Sequence, residues 1–183
     1  PWAEELLRGD AGPGDPTENL LDAAQAGQLG AATQALAAGA DPSAQRDGRT
    51  ALHWAVLRRH TDLVGPLLEG GVPIDAVTSG GHTALLLACE YAHAVVPTLL
   101  AAGARVDLAA PQGTTALLHA CRHGSAEVVT ALLDAGADPE GADAHGWRAV
   151  HRAVYYVKRD IVGVLLAAGV SLTATTNGGW TPL

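Results

Sequence analysis

The sequence predicts an all-α repeat fold, assembled from units that read turn, helix, turn, helix. Three observations predict it. Short glycine-centred motifs recur as DGRTAL, GGHTAL, QGTTAL, HGWRAV and GGWTPL, beginning at Asp47, Gly80, Gln112, His145 and Gly178. Their shared glycines, Gly48, Gly81, Gly113, Gly146 and Gly179, stand 33, 32, 33 and 33 residues apart, and a fixed spacing of that size marks stacked repeats. A second ladder runs out of phase with the first: ALAAG, LLEGG, LLAAG, LLDAG and LLAAG end at Gly39, Gly71, Gly103, Gly136 and Gly169. The third observation is composition. The 183 residues are 48% hydrophobic yet contain no Phe and no Met, a supply that suits thin, closely packed layers.

From the N-terminus, residues 1–14 (PWAEELLRGDAGPG) read as one short helix and a Gly/Pro joint, either a docking element or the relic of an earlier unit. Residues 15–44 lack the glycine-centred motif but keep two helices. Asp15-Pro16-Thr17-Glu18 gives the first of these an N-cap, a proline at its first position and an early acid. Such a unit caps the stack, whose end would otherwise expose an apolar face.

Four full units follow, at 45–77, 78–109, 110–142 and 143–175, and 176–183 begins another, so the natural chain is expected to continue past Leu183. In every unit but the one at 143–175 a Thr (50, 83, 115 and 181) is placed to cap the first helix, with Pro182 behind the last of them. The glycine closing each second helix supplies a left-handed C-cap. Polar acceptors follow at Ser43, Asp75, Asp107, Glu140 and Thr173. Three irregularities stand out. Arg148 replaces the capping Thr, which weakens that helix start by about 1 kcal/mol. The unit at 78–109 lacks one residue around YAHAVV, so its inter-helix turn should be tight. Pro66 and Pro97 fall in second helices, which are expected to start late or bend.

These residues resemble the ankyrin repeat over roughly 15–183. The period, the Gly-x-Thr-(Ala/Pro)-Leu start and the Leu-Leu-x-x-Gly finish carry the resemblance. It implies an ankyrin-repeat solenoid of antiparallel helix pairs with β-turn fingers. It also implies that His53, two residues after the Ala of its motif, is scaffold that hydrogen-bonds neighbouring turns. That His recurs only as His151; Leu86 and Leu118 take its place in the middle units.

The formal charge of −8 argues against nucleic acid, which needs a basic face. Two cysteines are too few for a disulfide-stapled secreted domain, and no apolar run is long enough to insert in a membrane. The expected setting is the cytoplasm or nucleus. No phosphate-binding glycine loop, nucleophile elbow or zinc-protease His pair occurs. His119, Cys121 and His123 in HACRH sit within about one helical turn, and His119 and His123 share a face at i, i+4, as metal ligands can. Cys89 and Cys121, however, fill one slot in adjacent units and read as packed thiols. The sequence therefore nominates no catalytic residue, cofactor or metal.

The resemblance implies that partners are bound by finger tips and by the ends of first helices, on the concave side. Of seven aromatic residues, five fall there: Tyr91, Trp147, Tyr155, Tyr156 and Trp180. Trp and Tyr dominate binding hot spots. Arg46, Arg49, Arg58 and Arg122 join them against Asp47 and Glu90, a local excess of two positive charges; His123 and His145 complete the set. The expected function is a non-catalytic protein-interaction module for a partner peptide or domain, one bearing acidic groups. The alternatives are a regulatory or targeting arm of a larger enzyme or channel, and a spacer within a longer solenoid that buries the aromatics.

Overall fold

The computed structural model describes residues 14–182. The short helix expected in residues 1–14 lies outside them, save Gly14. Five helix pairs succeed one another: α1 (Pro16–Ala26) with α2 (Leu29–Ala37), α3 (Ala51–Leu57) with α4 (Thr61–Glu69), α5 (Ala84–Tyr91) with α6 (Val96–Ala101), α7 (Ala116–His123) with α8 (Ala126–Asp134), and α9 (Ala149–Tyr155) with α10 (Arg159–Ala167). Isolated antiparallel bridges such as Arg46 with Arg49 and Ala110 with Thr114 mark the turns between pairs. The described residues form no strand.

First helices stack on first helices, α1 on α3, α3 on α5, α5 on α7 and α7 on α9; second helices make a parallel layer. Ala55, Ala88, Ala120 and Ala153 occupy one slot on the first helices and are all fully buried. A methyl side chain there lets neighbouring helices close to van der Waals distance, which is what the small-residue composition is for. Leu52, Leu85, Leu117 and Val150, two positions behind each capping residue, fill the remaining core.

Both ladders have a local cause. At the end of α2 the Ala40 N–H bonds the Ala35 carbonyl and the Gly39 N–H bonds Leu36, both at 3.0 Å, with Gly39 at φ 89°. That is a Schellman stop, and only glycine takes the positive φ without strain. The same pair of bonds closes the other four second helices. At the starts, Thr83 and Thr115 accept the Leu86 and Leu118 N–H groups, at 3.3 and 3.4 Å. Thr50 behaves differently. Its N–H donates to His53 Nδ1 at 3.1 Å, so the other ring nitrogen carries the proton and donates to the His82 carbonyl, 3.2 Å away. His53 thus ties one finger to the next. His151 repeats this between the Arg148 N–H and the Ala174 carbonyl, at 3.2 and 3.0 Å, which keeps half of a cap where threonine is missing.

The prolines part ways. Pro97 is the second residue of α6, which starts late, directly after a 3-10 turn over His93–Val95. This is also the tight turn left by the absent residue. Pro66 corrects the expectation of a late start: α4 begins at Thr61 and carries Pro66 in its interior. The Asp62 carbonyl loses its helical partner there, but Asp62 is exposed, so water meets it and the penalty of an interior proline is softened.

Candidate functional site

The fingers are held by hydrogen bonds of their own. In the first, Arg46 and Arg49 exchange both backbone hydrogen bonds around Asp47 and Gly48, whose φ values are 53° and 67°. Two consecutive positive φ angles make the tight turn whose twist suits a two-residue hairpin. In the fourth, Asp143 sits at the base and its Oδ1 accepts the His145 and Trp147 N–H groups, each at 2.9 Å. Its Oδ2 accepts from Arg152 at 2.6 Å. Burial alone would raise this carboxyl; the Trp147 N–H, the Arg152 guanidinium and the His145 N–H together hold it below the usual carboxylate range.

Fingers and first helices face each other across a groove, and an aromatic part of it lies at the fourth full unit. His145, Trp147, Tyr155 and Tyr156 line a pocket of about 280 Å³ with Asp143 and Arg152. The Trp147 and Tyr155 rings meet edge to face, centroids 5.4 Å apart at 90°, and Tyr155 meets Tyr156 at 5.1 Å and 82°. Arg122, from the preceding unit, places its guanidinium 5.2 Å from the Tyr156 ring centre, a cation–π distance. Four residues nominated separately from the sequence therefore share one pocket, and Arg122 borders it.

The others are dispersed. Trp180, 68% exposed, lines a neighbouring cleft of about 560 Å³ with Trp147, His151, Val154 and Pro182. Tyr91 is exposed at the end of α5, where Arg59 Nε donates to its carbonyl at 2.5 Å. Arg49 lies over the Trp54 ring at 5.1 Å, and Arg58 is exposed. Arg46 changes the charge count, because Glu18 and Asp22 of the capping pair hold its guanidinium. His123 stands 3.9 Å from Glu90, and His119 stands 3.8 Å from it on the other side. Burial pushes the His119 imidazole down to about 4 despite that carboxylate, and burial lowers His123 as well. Cys89 and Cys121 are free and fully buried, and burial pushes both thiols up to about 12.

Sequence reasoning missed the floor of the groove. The fourth residue after each helix-capping position is Trp54, Leu87, His119 and Arg152. These are mostly buried, and an apolar reading of the helix assigns them to core. A signal was present: the slot that follows is alanine in all four units, whereas this one runs from indole to aliphatic to imidazole to guanidinium.

The match to known families decides the lineage: the family described as ankyrin repeats (3 copies) matches residues 20–110 and 95–176. The chain belongs to the ankyrin repeat family. Ankyrin repeats are protein-interaction modules, and as such are generally not catalytic. Among relatives carrying ankyrin-like segments, the putative palmitoyltransferase ZDHHC13 of Danio rerio is 26% identical over 190 residues, covering 94% of this chain and 24% of that protein. The E3 ubiquitin-protein ligase KEG of Arabidopsis thaliana is 32% identical over 161 residues, 79% of this chain and 10% of the ligase. An ankyrin repeat-containing protein of Schizosaccharomyces pombe is 35% identical over 60 residues, covering 33% of this chain and 29% of its own length. The ankyrin array here thus spans less than a third of each of these relatives. No helix among the described residues is long and apolar enough to cross a membrane.

Proposed function

We propose that this chain is a non-catalytic interaction module that binds an extended segment of another protein along the groove between its fingers and first helices. The anchor is the pocket of Trp147, Tyr155 and Tyr156. Its support is the convergence of three aromatic rings packed in series, Trp147 on Tyr155 on Tyr156, beside the Asp143–Arg152 pair. Edge-to-face packing holds the rings in place before binding, so an apolar side chain entering between them loses little rotamer entropy on the protein's side. Arg122 and Arg58 add positive charge that favours acidic groups in the partner and speeds encounter.

Peptides selected from a random display library on the intact array test this. Alanine at Trp147, Tyr155 or Tyr156 should weaken their binding by about 2 kcal/mol, roughly thirtyfold, for at least one of the three rings. Melting temperatures measured on the same variants separate a lost contact from a lost fold. Unchanged affinity in all three would refute the pocket as anchor. A second reading, that the module is the regulatory or targeting arm of a larger enzyme or channel, is favoured by the two enzyme relatives, of which the aligned region covers 24% and 10%. It leaves the groove's role unchanged.

A further inference from the structure

At the opposite end of the groove one polar group has no partner among the described residues. Trp54 is 91% buried, 9% of its surface being exposed, and its indole Nε1–H makes no hydrogen bond. An orphaned buried donor is uncommon and destabilising. The register says where it lies. Trp54 follows Thr50 by the same four residues that separate Arg152 from Arg148, and Arg152 lines the anchor pocket. Trp54 is the floor of the same groove three units earlier.

What covers the indole is a cation. The Arg49 guanidinium sits 5.1 Å from the ring centre, and its one recorded hydrogen bond is a long contact of 3.4 Å to the Asp47 carbonyl, at an exposed site. That contact is weak and does little to fix the guanidinium in place. Arg58 is exposed at the end of the same helix. Asp47 is the nearby acid in the finger, and it presents its carbonyl to Arg49.

A planar cation and an unpaired N–H donor side by side are the two halves of a carboxylate receptor. We propose that Trp54 and Arg49 bind an Asp or Glu side chain of the partner segment, Arg49 rotating off the ring to clamp the carboxylate while the indole N–H donates to it. The proposal rests on the groove being the binding surface, and it fixes the partner's pattern. Three repeat steps separate Trp54 from Arg152; at about 8–10 Å per packed helix they span roughly 24–30 Å. An extended segment covers that in about 7–9 residues. The partner should therefore carry an acidic residue that far from its apolar anchor.

The test needs no partner. The indole N–H resonance of Trp54, identified by its absence in Trp54→Phe or by through-bond assignment of the labelled wild-type protein, is followed during titration with sodium acetate. Sodium chloride and acetamide serve as controls. A saturable downfield movement with acetate alone is expected, and Arg49→Gln should raise the acetate needed by about tenfold. An unmoved resonance, an equal movement with chloride, or an unaltered titration in Arg49→Gln would overturn the proposal. None of these results depends on the aromatic anchor, whose failure would show instead in the alanine series at Trp147, Tyr155 and Tyr156.

Discussion

Glu140 reaches from one repeat into the next: its Oε1 accepts the Ser171 N–H at 2.6 Å. Its other oxygen holds Arg148, also at 2.6 Å, so one carboxylate fastens the loop after α10 and the residue that begins α9. Asp75 makes the equivalent reach to the Arg105 N–H at 3.0 Å. Removal by Glu140→Ala should destabilise the array by about 1–2 kcal/mol, chiefly through the backbone donor, since an exposed ion pair is largely screened. For a chain of this size that lowers the melting temperature by about 2–8 °C. Glu140→Gln, which keeps an acceptor oxygen, should lose less. A scanning calorimetry trace indistinguishable from wild type for Glu140→Ala would contradict the role given to this link.

The buried imidazoles set an acid limit. His119 titrates at about 4 when folded because burial disfavours its charged form, whereas an unfolded chain protonates it near pH 6.5. Between those values the unfolded state holds a proton that the native state refuses, so stability is fully present above about pH 6.5 and declines as pH falls towards 4. Its share is on the order of 3 kcal/mol at most, and His53, lowered by burial too, acts in the same direction. Urea denaturation at several pH values should show His119→Leu, which copies the residue at Leu87, losing part of this slope. Parallel wild-type and variant curves would count against it.

The two cysteines should be chemically silent. With both thiols near 12 and no exposed surface, a disulfide reagent at about pH 8 finds almost no thiolate and no path to it. The native protein should react with neither; denaturant should release both together. Rapid labelling of one thiol in the folded state would show that its repeat interface opens.

The repeat architecture was legible because glycine and threonine do local work: a left-handed stop and a cap leave the same mark in every unit. That Trp147, Tyr155 and Tyr156 lie close together was legible from aromatic type and register. Arg152 and Trp54 were not, since a half-buried groove floor has the periodicity of core. Arg46 misled for another reason. Its partners Glu18 and Asp22 lie 28 and 24 residues earlier, a contact that only the stacking of α1 against α3 creates. Pro66 shows the reverse, a strong local signal overridden by the packing of Leu63, Val64 and Leu67 in the core.

One residue interrupts the row of fingers. The Ser79, Ala144 and Asn177 N–H groups each bond a carbonyl of the finger before, Gly48, Gln112 and His145, at 3.1, 2.8 and 3.0 Å. The corresponding place in the third finger is held by Pro111, which has no N–H to give. Spreading the second and third fingers therefore breaks one hydrogen bond fewer than spreading the other pairs so joined. A strip of card scored across its width folds at the score, and bending of this array should gather at the same kind of line. On that expectation the first two fingers, with Arg49 and Trp54, should move as one leaf and the last three, with the aromatic pocket, as the other.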